Sequence, residues 1–249
     1  MGVERWFVFA WAVLVGIHFL RWGIEAASER GTGDDPRSAH DGSERERIRR
    51  ADDARELRSP VARYAVAGLG FAMAGALLAG VVPAAVAYAL LCLALVGRCI
   101  ADQIAEERAP RRRSTVLGRS RRLDPVLMVW IVLAVGSSLS VVPYVLGGPD
   151  RTTALVVAAC VVVMAIVAWR IASAPPLLSG DDLEAEQIVD RETRALRTGN
   201  TCVVMVATSS TFIGLEGDFR MPATLTVFVA IFIWKSLYAR QLSRTPIAS

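Results

Sequence analysis

Two clusters of hydroxyl side chains and one lysine lie inside otherwise apolar runs of this chain: Gly136-Ser137-Ser138-Leu139-Ser140, Thr208-Ser209-Ser210-Thr211 and Lys235. A hydroxyl both donates and accepts hydrogen bonds. Ser137, Ser138, Ser140, Thr208, Ser209, Ser210 and Thr211 could therefore line a path for a polar solute or ion, with Lys235 adding positive charge. The same hydroxyls could instead tie helices together, each interhelical bond contributing about 0.6–2 kcal/mol. Lys235 could also lay its stem along apolar surface and carry its ammonium to the lipid interface.

Other constellations lack members. His40 falls in a polar linker, and His18 meets no second helical imidazole, so paired-His haem ligation and His-rich metal sites have no ligand set. His18, Arg21 and Glu25 span two turns at a helix end, where a pH-sensitive trio competes with polar groups simply reaching toward water. Cys92, Cys99, Cys160 and Cys202 show no Cys-x-x-Cys spacing and indicate neither a disulfide framework nor zinc. Intramembrane serine proteolysis needs a helical His beside its nucleophile, and the later apolar runs hold none. Neither a phosphate loop nor His-Glu-x-x-His is present. Asp102, Glu106 and Glu107 sit at one helix end, and Asp150, Glu216 and Asp218 in turns at the other, where a shared cation site competes with ordinary solvated acids. A lysine in the last of seven helices invites comparison with retinal-binding proteins. That comparison fails, because Ala84 to Val96 offers no carboxylate as counter-ion and Lys235 is too near its helix end. No metal, cofactor or enzyme site is expected.

The elements that would position these groups follow from composition. Of 249 residues 53% are hydrophobic and 21% charged, with mean hydropathy +0.41. The charges crowd into a few stretches, the pattern of a polytopic membrane protein. Glu4 to Ile24 is just long enough to cross about 30 Å of hydrocarbon. A cleaved signal peptide ending near Ala26-Ala27-Ser28 is the competing reading, opposed by the weak positive start at Glu4-Arg5 and the cationic segment behind it. Ala65 to Ile100 would be about 54 Å long as one helix, so it must break. Gly80-Val81-Val82-Pro83 is the place, giving Val61–Gly80 and Pro83–Ala101. Pro125–Leu146 and Thr152–Ala172 form a second pair, Asn200–Leu215 and Pro222–Ala239 a third. The expected fold is all-α: a transmembrane bundle of seven helices, one plus three hairpins.

In segments, residues 1–25 form the first span and 26–60 a charged linker. Hairpins cover 61–101, 125–173 and 200–240, separated by a basic loop at 102–124 and an amphipathic segment at 174–199, with a tail at 241–249. Arginine sets the orientation. Arg21, Arg30, Arg37, Arg45, Arg47, Arg49, Arg50, Arg55 and Arg58 fall in the first long loop, and the second adds Arg108, Arg111, Arg112, Arg113, Arg119, Arg121 and Arg122. Arg191, Arg194, Arg197 and Arg244 follow on the same side, against Arg5, Arg151 and Arg220 on the other. The long loops and C-terminus are therefore expected in the cytoplasm and the N-terminus outside, in a bacterial or archaeal cell membrane. An odd helix count agrees.

The formal charge of +4 has no aromatic interleaving suited to nucleic acid, so no nucleic-acid partner is expected. Arg111, Arg112, Arg113, Arg119, Arg121 and Arg122 are instead assigned to anionic lipid headgroups, at about 1 kcal/mol each. Ser43 and Glu46 make a capping box for a solvated helix over Glu44–Arg58. Asp181 to Thr198 reads as an amphipathic helix with Leu183, Ile188, Glu192 and Leu196 roughly on one side and Gly199 as its stop. It could dock on the bundle or on a partner. Ala72, Ala76 and Gly80, with Gly70 and Ala74 alongside, form a small-residue stripe suited to close helix contact. Similar arginine-bearing helix ends and Ser59-Pro60 and Asp124-Pro125 starts raise the reading of a triplicated hairpin, but shared capping and charge rules explain them better.

These features favour a non-catalytic membrane component that contacts lipids, a protein partner or a second copy of itself. A small permease or channel is the alternative, and a membrane enzyme acting on lipid comes third.

Overall fold

A computed structural model of the protein describes residues 3–32, 60–108, 124–174, 183–217 and 220–243. Among the described residues there are seven helices and no strand. They are α1 (Val3–Thr32), α2 (Pro60–Leu78), α3 (Ala84–Arg108), α4 (Pro125–Ser138 and Val142–Gly147, joined by a 3₁₀ turn at Leu139–Val141), α5 (Arg151–Ser173), α6 (Leu183–Leu215) and α7 (Met221–Ser243). Four are long and apolar enough to cross a membrane: Ala84–Ala101, Pro125–Gly147, Arg151–Ser173 and Met221–Leu242. The apolar stretch of α2, Tyr64–Leu78, is shorter.

The α2–α3 break falls where the glycine and proline require it. Gly80 has φ +72°, a left-handed conformation that a Cβ disfavours. Pro83 caps α3 rather than opening it, its carbonyl accepting from Ala87 N at 3.1 Å. Asp124 caps α4, with Oδ1 accepting from Val126 N at 3.0 Å and Pro125 as the first helical residue. Asp150 caps α5 by accepting from Thr153 N.

Two expectations of regular structure give way. The span expected as one helix over Pro125–Leu146 is interrupted, because Pro143 has no N–H for the Leu139 carbonyl and its ring crowds that turn. Leu139 O accepts instead from Val142 N in a 3₁₀ turn. Gly199 does not stop a helix either: α6 runs through it for 33 residues, about 50 Å at 1.5 Å per residue. The amphipathic segment and the sixth apolar run are one rod, since interior packing outweighs the roughly 1 kcal/mol that glycine costs a helix.

One cluster of buried side chains draws from every helix, including Val8, Leu77, Tyr88, Trp130, Met164, Met205 and Ile231. α6 lies at its centre and packs on α4, α5 and α7, while α1 lies along α2. A Cβ at Gly70 would come 2.8 Å from Ala12 O and 2.9 Å from Gly16 N, so α1 and α2 touch backbone to backbone. That contact uses Gly70 and buried Ala67 and Ala74, whereas Ala72 and Gly80 of the expected stripe are exposed. The stripe is rotated because α1 occupies the adjacent face.

Outward positions on the apolar helices are themselves apolar, among them Leu93, Val132, Val162, Val229 and Leu237. Buried polar side chains concentrate on α6. An oily exterior around a partly polar axis is compatible with hydrocarbon, rather than water, as the outer solvent.

Candidate functional site: a polar seam along α6

α6 is enclosed from Thr201 through Ile213, with Cys202, Met205, Val206, Thr208, Ser209, Phe212 and Ile213 all buried. A helix surrounded by other helices has no oily solvent to match, so it can carry hydroxyls that a lipid-facing helix would expose at a cost. Most of the hydroxyls bond back to their own helix. Ser209 Oγ donates to Met205 O at 3.0 Å and Ser210 Oγ to Val206 O at 2.8 Å. On α4, Ser137 Oγ donates to Ala134 O at 3.0 Å, and Ser140 Oγ donates to Ser137 O. Thr211 of α6 is also buried.

Ser138 Oγ and Thr208 Oγ1 differ: both are buried without a hydrogen-bond partner among the described residues. Trp130 meets Gly199 and the Tyr144 ring meets Phe212 at 5.5 Å, so α4 and α6 run in parallel register. Interpolating between these contacts places Ser138 and Thr208 at about the same depth. Tyr88 of α3 donates its hydroxyl proton to Thr208 O and stacks on Phe212 at 6.4 Å. Tyr88, buried and distant in sequence, was not among the expected site residues. A polar ring within an apolar run was the available signal.

Lys235 stands apart from this cluster. Its ammonium donates to Asn200 Oδ1. Asn200 precedes Thr208 by eight positions, about 12 Å along the axis. The lysine stem fills the notch at Gly199, where an added Cβ would meet Lys235 Cβ at 2.8 Å, Lys235 Cδ at 3.1 Å and Trp130 Cζ3 at 3.3 Å. The glycine is thus a close-approach point between helices. Sequence order alone cannot tell it from a helix stop.

A second polar group closes the same end of the bundle. Asp124 Oδ2 accepts from Arg191 Nε at 3.0 Å and lies 2.9 Å from Arg191 Nη2, and it accepts the Tyr238 hydroxyl proton. Arg191 Nη2 also donates to Tyr238 Oη at 3.3 Å. Burial alone would raise the pKa of the Asp124 carboxyl. The bonds from Tyr238, Arg191 and Val126 N–H, with the guanidinium charge, outweigh it and hold the carboxyl below its ordinary value. Burial would lower the Arg191 guanidinium, but the Asp124 bond and charge and the Tyr238 contact push it up. Arg194 donates to Ala174 O at 2.9 Å, at the end of α5, and pairs with Asp190. The stretch of α6 from Arg191 to Thr198 is therefore docked on the bundle, with Glu192, Ala195 and Thr198 all buried. Leu196, expected on the apolar side, is 37% exposed, because the docked face is turned by about one position.

At the opposite end burial, and then the charges of Asp150 and Glu4, push the Glu216 carboxyl above its ordinary value. Among the described residues no group of three or more His, Cys, Asp or Glu could hold a metal ion. The lipid-contact arginines Arg111, Arg112, Arg113, Arg119, Arg121 and Arg122, the Glu44–Arg58 segment, His40 and Asp218 lie outside the described residues. Comparison with protein-family models, curated proteins and solved structures finds no match.

Proposed function

We propose that this chain is a multi-pass, non-catalytic component of a cell membrane, with seven spans, the N-terminus outside and the long loops and C-terminus in the cytoplasm. The arginine asymmetry supports the orientation. The observation that carries the reading is α6, a rod about 50 Å long whose enclosed part turns its serine protons onto its own carbonyls. Hydroxyls whose protons are taken in this way can be buried against neighbouring helices with no solute or water as partner. The docked arm, with Arg191 and the loops beside it, then presents the cytoplasmic surface to anionic headgroups and protein partners.

Reporter fusions at residues 40, 115 and 180 test the topology, and all three are expected in the cytoplasm. Placement of residues 40 and 115 on opposite sides would overturn it. Deleting Glu44–Arg58 is expected to remove co-purifying partners, and an unchanged set would count against the interaction role.

The unpartnered pair Ser138 and Thr208 favours one second reading, a small permease or channel. Reconstituted liposomes decide it: solute or ion flux that falls on Ser138→Ala and Thr208→Val would replace the first reading, and absence of flux would remove the second.

A further inference from the structure

Lys235 is the single lysine among 28 cationic residues. Its ammonium is fixed on the rim of the bundle, between α6 and α7. Asn200 Oδ1 takes one of its three protons, the Phe232 ring lies 5.1 Å away at its centroid, and the stem is seated on Gly199. The Asn200 amide NH₂ lies beside it on an exposed position. Ammonium and amide together therefore present several N–H donors at one point, which is the chemistry of an anion site.

Depth and surroundings indicate which anion. Lys235 precedes Tyr238 by three residues, so it lies about 4.5 Å further into the bundle than the Asp124 end. The surface next to it is apolar and exposed at Phe232, whose ring lies under the ammonium, and at Trp234, whose ring packs on Trp130 beside the Gly199 notch. A free phosphate would leave those side chains uncovered, whereas a phospholipid would lay acyl chains on them and place its phosphate at the donors.

We propose that the seam between α6 and α7 at Lys235 and Asn200 binds the phosphate of an anionic phospholipid in the cytoplasmic leaflet. The site rests on the membrane orientation proposed above. It supplies a defined headgroup position in addition to the diffuse attraction of the arginine loops.

The test uses the full chain in nanodiscs and its one lysine. An amine-reactive ester scored by peptide mapping at Lys235 is expected to react about fivefold more slowly in phosphatidylglycerol than in phosphatidylcholine. Inorganic phosphate added to phosphatidylcholine discs is expected to give no protection. Native mass spectrometry is expected to show preferential phosphatidylglycerol retention that Lys235→Met abolishes and Lys235→Arg keeps, with unchanged thermal stability as the folding control. Equal labelling in both lipids, retention unaffected by Lys235→Met, or protection by inorganic phosphate alone would each overturn the proposal. A wrong topology would appear separately in the fusion data.

Discussion

Replacing Asp124 removes several interactions at once, and their sizes can be worked from the structure. Its Oδ1 caps α4, a role whose loss to alanine costs about 1 kcal/mol. Its Oδ2 accepts the Tyr238 proton, and a hydrogen bond to a charged group contributes about 1.5 kcal/mol. The Arg191 pair adds about 0.5 kcal/mol, the value of an exposed pair, because the Arg191 side chain is 52% exposed although that of Asp124 is only 10% exposed. Asp124→Ala should thus lose about 3 kcal/mol, a fall in Tm of roughly 6–12 °C for a chain of this size. Asp124→Asn keeps a capping oxygen and should lose only about 1 kcal/mol.

The carboxyl is depressed in the folded state, so its contribution is present above the unfolded carboxylate pKa and is lost as pH falls through the folded value. The stability gap between the wild type and Asp124→Asn should therefore be constant near neutrality and close in acid. Thermal unfolding in detergent, followed by tryptophan fluorescence across pH, measures both quantities. A double-mutant cycle with Tyr238→Phe should show coupling of about 1 kcal/mol. Additive losses, or a gap that widens in acid, would refute the assignment.

Gly199→Leu should destabilise by about 1–3 kcal/mol through overpacking against Lys235 and Trp130, read as a lower Tm; an unchanged Tm would mean that α6 and α7 do not approach there. Gly80→Ala should cost about 1 kcal/mol because of the left-handed backbone, whereas Gly75→Ala, which meets open space, should stabilise slightly by helix propensity. Glu216 is raised, so its charged form destabilises the fold above the folded pKa and the penalty disappears as pH falls through it. Glu216→Gln should accordingly raise Tm at neutral pH and leave it unchanged in acid.

Local sequence marked the helical, largely apolar character of the chain, four of whose helices are long and apolar enough to cross a membrane, together with the Gly80–Pro83 break, the Asp124-Pro125 start of α4 and the concentration of arginine in certain segments. Each of these depends on residues a few positions apart: hydropathy over a window, a proline without an N–H, a glycine free to take positive φ, a carboxylate two residues before an amide. Pro143 carried a signal of the same local kind for the α4 interruption, since a proline inside a helix frees a carbonyl whatever surrounds it, but the expected span ran through it unbroken. Tertiary structure decided what depends on neighbours brought from elsewhere in the chain. Gly199 reads as a helix stop in sequence and becomes a contact notch because the Lys235 stem and Trp130 fill the space beside it. Asp124, Arg191 and Tyr238 are ordinary surface types until α4, α6 and α7 place them on one oxygen. The hydroxyls of Thr208, Ser209 and Ser210 could have faced a solute or a carbonyl. The bond of Ser209 and Ser210 to the carbonyl four residues back is local, since exposed Thr226 and half-buried Ser236 of α7 make it as well; what the tertiary structure settled is that the α6 hydroxyls are buried, because burial depends on what packs against a helix and not on place in the chain.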